Sequence, residues 1–301
     1  MANLEISRAK RLDQKVVELI PELSRASATK LIEGGKVAVN GKVTEKGGYK
    51  LREGDDVQVD FDIKQLEAIP EIELEVLYED DDCAVIVKPA GILTHSKGEF
   101  NPEATVETWL KSHIKQNLQN SPLEKVRPFE KEEKTRRAGI VHRLDRLTSG
   151  VMICAKTPEA LSWLQKQFSQ RRVKKTYCAV VAGQLKQPHA IIDMPIERNP
   201  KAPATFRVGV NGKSARTEYK VIKESADYSL LELKPETGRT HQLRVHLNNL
   251  GHPIVGDTMY DGEPADRLYL HAEELEITLP NRERKVFRTP VPASFEGLLK
   301  P

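Results

Sequence analysis

Apolar residues fall at helical spacing from Arg11 to Ile20 and from Ser24 to Glu33, then change to strand spacing. The switch predicts two short helices followed by a hairpin. Ser24 is placed to cap the second helix and Gly34-Gly35 to end it, while Val37-Ala38-Val39-Asn40-Gly41-Lys42-Val43 alternates about an Asn-Gly turn. The stretch from Ile63 to Pro70 interrupts every periodicity and reads as a link between domains. The expected organisation is a small module at residues 1–60, a linker at 61–75 and a larger domain at 76–301.

The larger domain opens with short apolar strands at Val76-Leu77-Tyr78 and Cys83-Ala84-Val85-Ile86-Val87. A helix from Val106 to about Leu118 puts Val106, Leu110, Ile114 and Leu118 near one face, with His113 at its surface or boundary. The polar, charge-rich stretch from Gln119 to Arg137 reads as a mobile loop, longer than core elements need. Val151 to Ala155 reads as a buried strand. Thr157-Pro158-Glu159 then supplies the hydroxyl cap, first-turn proline and acid of a helix start, with Leu161, Leu164 and Phe168 as its buried stripe. A strand follows Val173, with Tyr177 on the face of Ala179 and Val181, and another ends near Leu233. After a turn at Gly238, a helix capped by Thr240 and stopped by Gly251 is expected to bury Leu243, Leu247 and Leu250, leaving Arg239 and Arg244 for a site.

A chain of 301 residues is long enough for a sizeable core plus a second module, and 39% hydrophobic content is ordinary for a globular protein. The start of the chain has no basic segment followed by an apolar one, and no stretch approaches the length of a membrane span, so neither secretion nor insertion is expected. Cys83, Cys154 and Cys178 are odd in number and widely spaced, which fits a reducing cytoplasm. Net charge is only +3, so contact with nucleic acid would have to come from local basic patches.

The densest candidate chemistry is Gly139-Ile140-Val141-His142-Arg143-Leu144-Asp145-Arg146-Leu147-Thr148-Ser149-Gly150. Asp145 is flanked by Arg143 and Arg146, and a nearby cation lowers a carboxyl pKa by roughly 1 to 3 units, leaving it ionised as nucleophile or base. Taken alone, an acid among arginines is also what a surface ion pair looks like. His142, His241, His246 and His252 lie in or beside the richest motifs, but His241 and His246 would be about 140° apart on a helix, so no metal is expected. Ser149 lacks the glycine two residues earlier that a nucleophile elbow requires.

The run His142-Arg143-Leu144-Asp145-x-x-Thr148-Ser149-Gly150 resembles the signature of the RluA-type RNA pseudouridine synthases, which isomerise selected uridines in structured RNA. The resemblance extends through Lys88-Pro89-Ala90-Gly91, Lys175-x-Tyr177-x-Ala179, His241-Gln242-Leu243-Arg244, Gly251 to Asp257 and Leu270-His271-Ala272. Leu147, where several relatives carry an acid, departs from it. It implies an α+β fold: a small RNA-binding module, then a catalytic domain with a mostly antiparallel, mixed sheet and packed helices. It also implies Asp145 as the essential aspartate, Tyr177 as the active-site tyrosine and Arg244, whose planar guanidinium can hold both carboxylate oxygens at once, as the cation opposite Asp145, with Arg143 and Arg239 toward the RNA.

Residues 1–60 resemble the S-four-like RNA-binding domain through Ser24-Arg25, Lys30-Leu31-Ile32, Gly35-Lys36-Val37, Val39-Asn40-Gly41-Lys42 and Leu51 to Asp55. Arg25, Lys30, Lys36 and Lys42 would be its phosphate contacts, although charges on so small a module can equally form a solvated face. Together the two resemblances imply a cytoplasmic, monomeric enzyme that needs no cofactor, metal or membrane. Its expected partner is structured RNA, foremost large-subunit ribosomal RNA, with transfer RNA as the alternative substrate. A noncatalytic RNA-binding or ribosome-assembly factor is the reading from a different class.

Overall fold

The structure is a computed structural model that describes residues 10–21, 23, 25–61, 69–95, 103–119 and 139–299. The expected Ser24 cap, most of the inter-domain link, the Leu118 side chain and the loop at 120–137 lie outside the described residues. The chain divides into two compact units, Met1–Ile72 with His95–Thr105, and Glu73–Thr94 with Val106–Pro301.

In the first unit, α1 (Leu12–Leu19) and α2 (Arg25–Glu33) are followed by β1 (Val37–Val39), β2 (Lys42–Val43) and β3 (Val57–Val59). The three strands pair antiparallel in the order β2-β1-β3. Leu12 and Val16 meet Ala28, Ile32, Val37 and Val39 in one small core, the helical and alternating patterns converging as predicted. Asn40 and Gly41 take φ of 51° and 76°, the pair of left-handed residues that a two-residue hairpin turn demands. The Asn40 carboxamide also ties the turn to the loop before β3, donating to Asp55 Oδ1 at 2.8 Å and accepting the Asp56 N–H at 3.0 Å.

The second unit is built on a nine-stranded mixed sheet. Its strands are β4 (Glu75–Glu79), β5 (Cys83–Lys88), β6 (Ser149–Ala155), β7 (Lys174–Ala182), β8 (His189–Asp193), β11 (Arg216–Glu224), β12 (Tyr228–Pro235), β13 (Leu270–Thr278) and β14 (Arg284–Arg288). The order is β4-β5-β6-β13-β7-β12-β11-β8, with β14 also on β13. Every pairing is antiparallel except β6 with β13, so the architecture is the α+β arrangement expected from the sequence. A separate hairpin is formed by β9 (Ile196–Arg198) and β10 (Phe206–Val208).

Helix α3 (Val106–Gln119) buries Val106, Leu110 and Ile114. Helix α4 (Pro158–Ser169) begins as predicted, with the Thr157 hydroxyl accepting the Ala160 N–H at 3.2 Å, and its Leu161 and Leu164 pack with Val85, Val151 and Ile153. Helices α5 (Gln242–Asn249) and α6 (Ala293–Gly297) bury Leu243, Leu247 and Phe295 in a second core with Val180, Leu231 and Leu233.

One expected cap is corrected. Helix α5 is not capped by Thr240: its N-cap is His241, which is left-handed at φ 56° and makes no capping bond with its side chain. Gln242, the first helical residue, instead fixes the turn that precedes the helix. Its Oε1 accepts from the Arg239 N–H at 3.0 Å and the Thr237 hydroxyl at 2.7 Å, and its Nε2 donates to Arg216 O and Thr217 Oγ1, each at 3.0 Å. A buried amide with all four positions used locks the turn before α5 onto β11.

The single parallel junction generates a prediction. Gly150 sits at φ 122°, where an added Cβ would lie 2.1 Å from the Ala272 carbonyl oxygen. Gly150→Ala is expected to destabilise the chain by about 3 kcal/mol or more, because both backbone strain and a backbone clash must be relieved. Urea unfolding checks this, and a midpoint equal to that of the parent would show that the β6–β13 junction tolerates a side chain.

Candidate active site

Asp145 lies on the short segment that leads into β6, and backbone contacts from three directions hold that segment. Thr94 Oγ1 donates to Leu144 O at 2.8 Å and accepts the Leu144 N–H at 3.2 Å. The Gly91 N–H meets Arg146 O at 2.9 Å, and the Thr148 N–H closes a turn on Asp145 O at 3.1 Å. Leu144 is buried, so the side chain before Asp145 is an anchor in the core while the carboxylate itself remains partly exposed.

Lys88 adds a fourth tether. Its side chain is fully buried at the end of β5, and Nζ donates to the carbonyls of Pro89, Ile92 and Arg146 at 2.9, 2.7 and 3.1 Å. Burial pushes its pKa down to about 7, a fall that the Asp145 charge opposes. Three carbonyl acceptors need three hydrogens, which the ammonium has and the neutral amine lacks, so the charged form is the one this geometry holds. Ser149 closes the segment from the other end. Its Oγ accepts from Arg267 Nη2 at 2.6 Å and lies 2.8 Å from His271 Nδ1, an imidazole whose pKa burial pushes down to about 4. A hydroxyl that receives an arginine and donates to a neutral histidine is a structural link rather than a nucleophile.

Facing Asp145 are Arg244 and His241. Arg244 Nη1 lies 3.6 Å from Asp145 Oδ2, and His241 Nε2 lies 3.9 Å from Oδ1. The expected two-point grip of Arg244 on Asp145 is corrected, because the guanidinium fork is already used: Nε and Nη2 bond Asp257 Oδ2 and Oδ1 at 2.7 and 2.6 Å. Arg244 is 5% exposed and Asp257 1% exposed, and the guanidinium stacks 4.8 Å above the Tyr260 ring. Burial opposes the Arg244 charge, but Asp257 and Asp145 outweigh it and raise its pKa. Asp257 belongs to a segment that shares in the family resemblance, yet nothing local in the sequence distinguished it from a turn acid.

The flanking arginines also differ from expectation. Arg143 and Arg146 are exposed, and among the described residues the permanent cation within ion-pair distance of Asp145 is Arg244, with the His241 imidazole beside it. Arg146 lies in the turn that Thr148 closes on Asp145, whereas Arg244 arrives from a different element. Arg239 turns its Nε to Ser214 O at 2.9 Å, outside the immediate shell of Asp145. Tyr177, half-buried on β7, is close enough that the Asp145 charge adds to burial in raising its pKa, which keeps the phenol protonated. Lys175 on the same strand is pushed down to about 8 by burial and donates to Thr237 O at 3.3 Å.

The other histidines have structural partners. His142 Nε2 accepts the Ile153 N–H at 3.2 Å and its ring stacks on Phe168. His246 bridges Thr217 Oγ1 and Met194 O at 3.0 Å each, and His252 Nδ1 donates to Ala182 O at 2.8 Å. Among the described residues no group of three or more His, Cys, Asp or Glu is placed to hold a metal ion, and no helix is long and apolar enough to cross a membrane.

Within the first unit, two of the four expected phosphate contacts have carboxylate partners. Arg25 Nη2 bonds the buried Asp13 at 2.9 Å, and Asp13 also receives Nε and Nη2 of Arg11 at 3.0 and 3.1 Å. Lys36 Nζ bonds Asp60 at 2.9 Å. Lys30 and Lys42 are exposed and have no acid within ion-pair distance among the described residues.

Residues 82–249 match the family described as RNA pseudouridylate synthase, and residues 10–57 match the S4 domain. A ribosomal large subunit pseudouridine synthase D of Nitrosomonas europaea is 38% identical over 307 residues, covering 96% of this chain and 83% of that protein. An uncharacterized RNA pseudouridine synthase of Synechocystis sp. is 35% identical over 300 residues, covering 96% and 88%. Among solved structures, human RNA pseudouridylate synthase domain containing 1 superposes with a TM-score of 0.57 at 28% identity, covering 73% of this chain and 84% of that one. A match over more than half of the chain, with relatives aligned along nearly all of it, establishes that the chain belongs to the RNA pseudouridylate synthase family and carries an S4 domain ahead of its catalytic domain.

Proposed function

We propose that Asp145 is the reacting carboxylate, that Arg244 is its electrostatic partner and that Tyr177 receives the uracil ring. The observation that carries this reading is the Arg244 guanidinium, clamped by Asp257 and presenting its remaining nitrogen to Asp145 at 3.6 Å. One carboxylate oxygen faces a fixed positive charge while the lone pairs stay available to substrate. A uridine in folded RNA must first leave the stack, at a cost of about a few kcal/mol that phosphate contacts elsewhere on the chain offset. Arg143, exposed two residues before Asp145, and Arg239 are suited to those contacts near the site, and Lys30 and Lys42 to those on the N-terminal module.

Asp145 promotes cleavage between ribose C1′ and uracil N1, by adding to C1′ or by taking the C2′ proton. Both routes require the ionised carboxylate. The uracil then turns on the Tyr177 face and bonds to C1′ through C5 as the Asp145–C1′ bond breaks or, on the other route, as Asp145 returns the C2′ proton; the C5 proton leaves and N1 gains one, so Asp145 is regenerated and the product is an isomer of the substrate. The protonated Tyr177 hydroxyl serves as a hydrogen-bond donor beside the ring, not as a phenolate base.

The substrate we infer is large-subunit ribosomal RNA, in the cytoplasm, supported by the named activity of relatives such as the Nitrosomonas europaea protein and by the combination of an S4 domain with the synthase domain. The module at 1–60, the linker at 61–75 and the domain at 76–301 would then divide anchoring from chemistry, in a monomer that uses no cofactor. Site-resolved mapping of pseudouridine in cellular RNA, with and without this chain, tests the substrate. Loss of signal in large-subunit ribosomal RNA is expected; loss confined to transfer RNA would overturn the assignment.

Asp145→Asn is expected to abolish pseudouridine formation while RNA affinity stays within about tenfold, or 1.4 kcal/mol. Arg244→Lys, which keeps charge but loses the fork to Asp257, should slow single-turnover conversion by about tenfold to a hundredfold. Substantial activity in purified Asp145→Asn would remove that residue from its role, and a parent rate in Arg244→Lys would show that the fork is dispensable.

The anchoring role is read from salt dependence. The full chain carrying Lys30→Ala and Lys42→Ala should bind RNA more weakly, with its log-log salt slope reduced by roughly 0.7 to 0.9 for every phosphate that a lysine no longer neutralises. A slope and affinity unchanged from the parent would leave those lysines as a solvated face.

A further inference from the structure

His241 holds a left-handed backbone, φ 56° and ψ 21°, immediately before α5, and its side chain does no capping there. A residue with a Cβ seldom adopts that conformation without a reason elsewhere. The conformation turns the imidazole between two groups: Nε2 faces Asp145 Oδ1 at 3.9 Å, and Nδ1 lies 2.7 Å from the Tyr260 hydroxyl. Tyr260 is buried and its oxygen accepts the Phe206 N–H at 2.9 Å; its own hydrogen needs an acceptor, and His241 Nδ1 is the one within reach among the described residues. That bond puts the ring hydrogen on Nε2, toward the carboxylate. Phe206 and Tyr260 both meet the imidazole edge-on at 5.6 Å between centroids, which restrains rotation of the ring.

We propose that His241, fixed in orientation by Tyr260, is a positioning residue that directs its Nε2–H at Oδ1 of Asp145 while Arg244 Nη1 faces Oδ2, so that the carboxylate is held in one plane as the uridine enters. The inference rests on Asp145 being the reacting carboxylate. Contacts of this kind tighten from apo distances when substrate closes the site. The charged groups acting on the imidazole are Asp145 from the segment before β6, Arg143 beside it, Arg244 on α5 and Asp257 after it. Burial first, then the two arginines, lower its pKa against the pull of the two aspartates, which keeps the ring neutral at pH 7. Tyr260 thereby acts twice, beneath the Arg244 guanidinium and behind His241.

The test uses the full chain carrying His241→Ala, His241→Gln or Tyr260→Phe, with Asp145→Asn as reference. Single-turnover rates are measured between pH 5 and 8 on a transcribed RNA that contains a uridine the parent converts, alongside RNA affinity. His241→Ala should lose about a hundredfold in rate with little change in affinity, and His241→Gln should recover about tenfold of that because its amide N–H can replace Nε2–H. Tyr260→Phe removes the donor that favours the neutral ring, so the imidazole protonates more easily; an imidazolium would bind Oδ1 as a full ion pair and occupy the lone pairs that the reaction needs, so the acid limb of the rate profile should move up by about half a pH unit or more. A parent rate in His241→Ala overturns the proposal. So do equal losses in His241→Ala and His241→Gln with the acid limb unmoved in Tyr260→Phe, which is what a purely structural role produces. If Asp145→Asn itself retains activity, the assignment of the reacting carboxylate fails; if it is inactive while His241→Ala is at the parent rate, only the positioning role fails.

Discussion

A buried guanidinium has to be paired, and much of the site follows from how Arg244 meets that requirement. Breaking such a pair leaves an uncompensated charge in the interior, which costs about 3 to 5 kcal/mol, so Arg244 and Asp257 constrain each other strongly. Asp257 takes the two nitrogens that form a planar fork and Tyr260 covers the face, which leaves the last nitrogen pointing at Asp145. This division of labour suits a reacting acid better than the two-point grip expected from the motif. A carboxylate with both oxygens clamped is well stabilised and poorly available, whereas one facing a fixed charge at 3.6 Å keeps its lone pairs.

Lys88 solves a related problem for the backbone. The segment carrying Asp145 and the turn after β5 both present carbonyls where no strand can pair with them, and one ammonium satisfies three of these at once. Thr94 does the same for both backbone groups of Leu144. The result is an irregular segment with the definition of a regular one, which is what positioning a reactive side chain to within fractions of an ångström requires. The cations nearest Asp145 thus hold structure and field together, and Arg143 lies exposed beside them.

In the N-terminal unit, counting basic residues overstates what a phosphate can reach. Asp13 is buried, and burial alone would raise its carboxyl pKa; the Arg11 and Arg25 guanidiniums outweigh that and hold it below the usual carboxylate range. Arg25 is therefore part of the module's own stability, and Lys36 shares its charge with Asp60, while Lys30 and Lys42 stand clear.

The sequence by itself determined much of what depends on neighbours along the chain. The Asn40-Gly41 turn, the Thr157 cap and proline start of α4, the wholly buried β6 after the Asp145 motif, and the leucine face of α5 all follow from local periodicity and backbone preference. The family resemblance pointed to Asp145, Tyr177 and Arg244, and the structure brings Arg244 Nη1 within 3.6 Å of Asp145. Only the tertiary structure decided how these residues divide their bonds. Asp257 claimed the Arg244 fork from 13 residues away, Lys88 reached the carbonyl of Arg146 across 58, and Gln242 bonded Thr217 on a strand 25 residues earlier. Buried polar groups must find partners in three dimensions, and which partner is nearest is set by packing, to which no local pattern of residues is sensitive.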